Sequence, residues 1–280
     1  MKQVISASRR TDIPAFYLKW LMERIKQGRV EVRNPFYRDQ VRVVDLTPEK
    51  VEWLVFWSRN YGVFLKHPEC FRNYQLFFHF TIVSHHPWLE KHHLPVARAV
   101  QQLAELAHRY GPERITWRYD PLVFWQVDGT LFTNWNREEF ERLCREVARC
   151  GVQRCYFSFV TPYPKFLRRF RKKYPQAKVH LPDESHQFQL LEEMVNIARK
   201  HHIQLFSCCN DRLLRVPGVQ KGHCIDGNLL NQLSRGGMVT VAKAPTRTDC
   251  GCTRSIDIGD YLQQPCSFGC IYCYANPRWQ

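Results

Sequence analysis

Trp53-Leu54-Val55-Phe56-Trp57 carries no polar side chain at any position of its alternation. Successive side chains of a strand point to opposite faces, so a strand apolar throughout is buried on both. That pattern belongs to a parallel sheet covered on both sides. Working outward from it, further β-rich runs recur at residues 4–8 (VISAS), 30–33 (VEVR), 75–83 (QLFFHFTIV), 114–119 (RITWRY), 154–160 (RCYFSFV) and 203–208 (IQLFSC). Between them, helical patterns are read over residues 14–27, 96–108, 137–148, 186–201 and 227–233. Strands alternating with helices define an α/β chain with a mainly parallel sheet. Seven strand candidates in 280 residues predict a (β/α) TIM-type barrel or partial barrel over residues 1–245. Residues 246–280 form a cysteine-rich tail expected to pack on the barrel mouth within the same structural domain.

Hydrophobic residues make up 44% of the chain, enough for a full core and too many for disorder. No stretch approaches the roughly 20 uninterrupted apolar residues of a membrane span. The opening MKQVISASRRTDIP is a poor signal peptide, because Arg9, Arg10 and Asp12 interrupt a short apolar run. A cytoplasmic protein with no membrane partner is the expectation. The net charge of +15 favours polyanionic partners, nucleic acid or a nucleotide above all, although some basic proteins are simply soluble. Residues 166–173 (FLRRFRKK) read as a solvated basic helix face or as a phosphate contact.

Twelve cysteines in a chain this long, without a secretory leader, point to metal or redox chemistry rather than a disulfide scaffold. Five of the twelve fall between Cys250 and Cys273. The last three stand in Cys266-Ser-Phe-Gly-Cys270-Ile-Tyr-Cys273, a C-x3-C-x2-C spacing on a Gly-containing loop. Three thiolates for a four-iron cube leave one iron without a protein ligand, and an open position separates a reactive metal site from a closed one. Upstream stand Cys250-Gly251-Cys252, Cys224 and Cys208/Cys209. From these, Cys208, Cys224, Cys250 and Cys252 are the favoured set for a second, closed site, which iron–sulfur and zinc suit equally well. Cys70, Cys144, Cys150 and Cys155 read as inert core thiols. Most of the twelve histidines read as surface residues, with His79 and His223 the better site candidates.

Polar residues gather where strands end: Arg9, Arg10, Thr11 and Asp12 after the first, Ser58 and Arg59 after the third, Asp120 after RITWRY, then Ser158 and Cys208/Cys209. In a (β/α) barrel this rim faces the active site.

Two resemblances follow. Ser6-Ala7-Ser8-Arg9-Arg10-Thr11-Asp12-Ile13-Pro14, with CGC at residues 250–252, SIDIG at 255–259 and CSFGCIYCYAN at 266–276, resembles a bacterial family catalogued as a domain of unknown function, over essentially the whole chain. The C-x3-C-x2-C run with Tyr272 before its last cysteine is also similar to the cluster loop of radical S-adenosylmethionine (SAM) enzymes, and in particular to the spore photoproduct lyase branch. There the next strand ends in a Ser…Thr-Asp-x-x-x-Pro-like segment and a later one carries Arg-x-Asp-Pro. Ser8…Thr11-Asp12-Ile13-Pro14 and Arg118-Tyr119-Asp120-Pro121 match these. The order differs by one cut, so the resemblance implies a circularly permuted barrel whose tail docks beside residues 4–8; barrels bring first and last strands together, which makes such a permutation mild.

It further implies a [4Fe–4S] cluster on Cys266, Cys270 and Cys273, which reductively cleaves SAM to a 5′-deoxyadenosyl radical acting on an unknown substrate. Tyr272 would pack near the adenine. Ser8, Arg10 and Asp12 are candidates for SAM or substrate, and Arg118, Asp120 and Ser158 for cofactor contacts. An electron donor such as ferredoxin or flavodoxin is implied too. The Gly-Gly-Glu segment of that family is absent after the first strand, since Gly236-Gly237 is followed by Met238. The rival expectation is a non-catalytic nucleic-acid-binding protein braced by zinc or iron–sulfur.

Overall fold

A computed structural model describes residues 1–37 and 39–279. In chain order the elements are β1 (Gln3–Ala7), α1 (Ile13–Phe16), α2 (Leu18–Lys26), β2 (Arg29–Arg33), β3 (Val41–Asp45), β4 (Val51–Ser58) and β5 (Gln75–Thr81). There follow α3 (Val96–Tyr110), β6 (Ile115–Leu122), β7 (Phe124–Val127), β8 (Thr130–Thr133), α4 (Arg137–Arg149), β9 (Arg154–Phe159), α5 (Pro164–Lys173) and β10 (Ala177–His180). The chain ends with α6 (Glu184–Lys200), β11 (Gln204–Cys208), β12 (Val219–Gly222), α7 (Gly227–Leu233) and β13 (Ile256–Asp257).

Among the described residues, eight strands form one parallel sheet in the order β13-β1-β4-β5-β6-β9-β11-β12. Read from β13, the strands follow chain order except that the last strand of the chain stands first. Each crossover therefore steps the same way, and right-handed connections then place their helices on one face. The core bears this out. Ile5, Leu54, Phe56, Phe78, Phe80, Trp117 and Phe157 turn toward Leu21, Leu103, Phe140 and Met194 of the helices. Val4, Trp53, Val55 and Phe77 turn the other way and are covered by Ile225, Leu230, Val239 and Cys252. Residues 53–56 are thus buried on both faces, with Trp57 partly buried at the end of the run.

Of the expected barrel or partial barrel, the large parallel sheet is present; among the described residues β13 pairs with β1 alone and β12 with β11 alone. Other expectations are corrected. Residues 30–33 lie outside this sheet, in the antiparallel hairpin β2–β3. Val30 and Val32 alternate with Arg29, Glu31 and Arg33, a pattern that suits a half-exposed antiparallel strand. The helix expected over 14–27 is split at Tyr17 into α1 and α2. A three-stranded sheet, β10-β7-β8, was not foreseen; it carries a second apolar cluster in which Trp125, Val123, Phe166 and Phe170 surround Phe268, Cys270, Ile271 and Tyr272. Among the described residues, no helix is long and apolar enough to cross a membrane.

Candidate functional site

The rim begins with the loop after β1. Asp257, at the end of β13, gathers it. One carboxylate oxygen accepts from Ser6 Oγ (2.7 Å) and the Arg9 amide (2.8 Å), and the other from Ser8 Oγ and the Gly259 amide (3.1 Å). Arg9 and Arg10 both lie within salt-bridge distance of it, and Arg10 also donates to the Gly259 carbonyl at 3.0 Å. A β-carbon on Gly259 would fall on the Ser8 hydroxyl, so the two segments approach at glycine distance. The tail therefore docks beside β1, with Ile5 opposite Ile256 and Ser6 opposite Asp257.

Asp12 ties the same loop to β4. Its Oδ1 caps α1 at the Ala15 amide (3.0 Å) and accepts from Ser58 Oγ (2.7 Å), while Oδ2 accepts from the Arg59 amide (2.9 Å). Burial pushes its pKa up to about 6 against these bonds. Ser8 and Asp12, expected as cofactor contacts, thus direct their hydrogen bonds to the fold itself.

The cysteine loop sits over this rim. Tyr17 Oη donates to the Pro265 carbonyl (2.7 Å), and Tyr274 Oη to the Arg9 carbonyl. The loop backbone is held by Ile271 N to Leu89 O (2.8 Å) and by Arg278 N to Cys266 O (2.8 Å). Gly269 turns through a left-handed φ of 67°, with Arg278 O only 2.8 Å from where a β-carbon would stand. Arg169, on the basic helix α5, is buried and donates to the Cys273 and Ala275 carbonyls. On the helix read as a solvated face or a phosphate contact, Arg169 is turned inward.

Beneath Cys270 lies a buried charged cage. Arg59 Nη1 donates to Tyr272 Oη (2.7 Å) and to Cys270 Sγ (3.5 Å), and Nη2 pairs with Glu90 at 2.7 Å. Tyr272 Oη donates to the same Glu90 oxygen at 2.5 Å. Burial would raise the Glu90 pKa, but Arg59, His85 and Tyr272 outweigh it and hold it below the usual value. The Cys270 thiol is pushed up to about 12 by burial, with Arg59 opposing. Burial also raises Cys266, helped by the charges of Asp12 and Cys270, and raises Cys273. Three soft thiols on one buried glycine loop, with a guanidinium beside one of them, are a donor set of the kind that iron–sulfur clusters take.

Across the rim the second cysteine group assembles from three segments. Cys208 Sγ lies 3.4 Å from Cys224 Sγ. Cys224 also accepts from Cys252, and Cys252 is bonded in turn to Cys250. Those bonds lower Cys224 and bring Cys250 down to about 5, and raise Cys208 and Cys252. Arg118 donates to Cys224 (3.1 Å) and Cys208 (3.9 Å) and pairs with Asp120, which accepts from Ser158. His79, fully buried, reaches the Cys224 carbonyl at 2.7 Å and stacks on Trp57 at 4.7 Å. His223 lies so close to Gly251 that no β-carbon fits between them.

All four expected second-site cysteines come together, and Arg118, Asp120 and Ser158 form one network beside them. As placed, no three or more Cys, His, Asp or Glu side chains among the described residues are disposed to hold a metal ion. Asp257, Glu90, Arg169 and Arg59's role escaped the sequence reading. Arg59 was visible as a strand-end residue, whereas Glu90 lies in a loop with no periodic signal.

These features define a parallel α/β protein with a cysteine-rich rim. The chain belongs to the family described as Domain of unknown function (DUF1848), whose model matches residues 4–275. No curated protein and no solved structure matches it.

Proposed function

We propose that this protein is a radical SAM-type iron–sulfur enzyme on a circularly permuted α/β scaffold. One observation carries the reading: the C-x3-C-x2-C loop leaves the sheet directly after β13, the strand that is last in the chain and first in the sheet. Moving that strand and its loop to the front of the chain would give a sequentially wound sheet with the cysteine loop after its first strand.

On this reading Cys266, Cys270 and Cys273 hold a [4Fe–4S] cluster, which supplies the electron for reductive cleavage of SAM. Arg59 steadies the Cys270 thiolate, and Glu90 in turn fixes Arg59 and Tyr272. The apolar residues around the loop exclude water. Arg10 and the Arg118–Asp120–Ser158 network take SAM and substrate contacts at the rim, while Ser8 and Asp12 act by holding that rim in shape. The charge of +15 supports a nucleic-acid or nucleotide substrate, with ferredoxin or flavodoxin as electron donor. Arg169, buried on the basic helix, serves the cysteine loop and leaves the exposed residues of α5 for phosphate.

The test is product analysis. Anaerobically reconstituted, reduced protein given SAM is expected to release methionine and 5′-deoxyadenosine, and Cys266→Ala, Cys270→Ala and Cys273→Ala variants to release neither. A cluster-loaded wild type that leaves SAM intact overturns the enzyme reading and favours the braced nucleic-acid-binding protein.

A further inference from the structure

We infer that Cys208, Cys224, Cys250 and Cys252 bind one four-coordinate metal ion of zinc type, a closed site separate from the loop at Cys266–Cys273. The argument does not depend on SAM chemistry. It starts from spacing. Tetrahedral zinc with Zn–S bonds of about 2.3 Å sets its sulfurs about 3.8 Å apart. Cys208 and Cys224 stand 3.4 Å apart, close to that edge. A disulfide needs sulfurs at about 2.05 Å, so this pair is not bonded. A four-iron cube places each thiolate on a different iron, and its ligand sulfurs then stand much farther apart. The short separation therefore fits two thiolates on one metal ion and not two corners of a four-iron cube.

The other two ligands come from the Cys250-Gly251-Cys252 turn. Its backbone is tied down by Thr253 N to Ile225 O (2.9 Å) and Ala244 N to Cys252 O (2.9 Å). The Thr253 N to Ile225 O bond sets Cys252 next to Cys224, and Cys224, Cys250 and Cys252 share one apolar cluster. As placed, no three of these side chains surround an ion, so binding has to draw the Cys250–Cys252 turn toward Cys208 and Cys224.

Charge supplies the second argument. Four thiolates around a divalent ion leave a net charge of −2, which is costly to bury. Arg118 donates to two of the sulfurs. Arg247 lies within electrostatic reach of Cys208 and Cys250, and Arg9 of Cys224 and Cys252. Arg118 also pairs with Asp120 and Arg9 with Asp257, so what these groups offer the ion is chiefly the Arg118 donation to two of its sulfurs, with Arg247 beside them. Bound there, the ion would pin the β11 end, the segment after β12 and the tail to one point at the rim.

The measurement is metal content with spectroscopy on full-length protein purified anaerobically from zinc-supplemented medium. One zinc per chain is expected, with X-ray absorption showing four sulfur neighbours at about 2.3 Å. Cobalt exchange should give the intense visible bands of a tetrahedral thiolate site. Cys224→Ser and Cys252→Ser should lower zinc to background, whereas Cys209→Ser and the Cys266/Cys270/Cys273 triple Ser variant should keep it. If the serine variants fold poorly, the wild-type absorption spectrum decides alone. Iron and sulfide retained by the triple variant, a Cys208–Cys224 disulfide, or no metal in the wild type would each overturn the proposal. Loss of SAM activity with zinc intact would leave it standing.

Discussion

Arg59 joins the loop after β4 to the cysteine loop through three partners, Glu90, Tyr272 and Cys270. Removing it leaves the Glu90 carboxylate buried without its cation, a kind of loss that costs about 3–5 kcal/mol. Arg59→Met should lower the urea midpoint accordingly and reduce iron retention by the loop; a midpoint within error of wild type would show the cage to be incidental. His79 gives a pH signature. Burial, with the Arg118 charge adding to it, lowers its pKa to about 3, whereas the unfolded chain titrates near 6.5. The unfolded state therefore binds the proton first as pH falls. Stability contributed by neutral His79 is full above about 6.5 and is lost toward pH 3, by up to about 1.4 kcal/mol per pH unit. Urea titrations between pH 7 and 4 should show this slope, and His79→Phe should flatten it; an unchanged slope in the variant would assign it to other groups.

At the scale of elements, β13 is the joint between the tail and the sheet. It has two residues, and its register is held by the Asp257 carboxylate and by the absence of a side chain at Gly259. Gly259→Ala forces the chain away from Ser8 and should cost about 1–3 kcal/mol, together with faster amide exchange over residues 255–275. Exchange confined to residue 259 itself would mean that the tail is anchored elsewhere. This element also marks the limit of what sequence conveys. Residues 53–57 were legible because the run is apolar throughout, and residues 75–83 because aromatic and β-branched residues dominate it. Residues 30–33 misled because a short alternating run fits either an edge hairpin or a sheet strand. No periodicity can reveal a two-residue strand fixed by side-chain hydrogen bonds, and a polar cluster such as Ser8 and Asp12 does not disclose in the sequence that it also bonds within the fold. The cysteines were legible as groups, since spacing alone brought out both, while the cage beneath Cys270 depends on Glu90 arriving from a distant loop.

For the whole molecule, the strand order is the fact that needs explaining. If the chain is a permuted form of a sequential sheet, the same strand order should form from a chain cut elsewhere. A chain re-cut in the exposed loop at Thr246, with its old ends joined by a flexible linker of about 20 residues, should keep the far-UV circular dichroism and cooperative unfolding of the original. Failure to fold would show that the present termini are required.

The most direct measurement is electron paramagnetic resonance of the anaerobically reconstituted, reduced protein, recorded with and without SAM beside an iron and sulfide count. The account predicts about four irons per chain, a cluster signal that SAM perturbs, and loss of both in Cys270→Ala. Protein without iron, or a cluster signal indifferent to SAM, would contradict it.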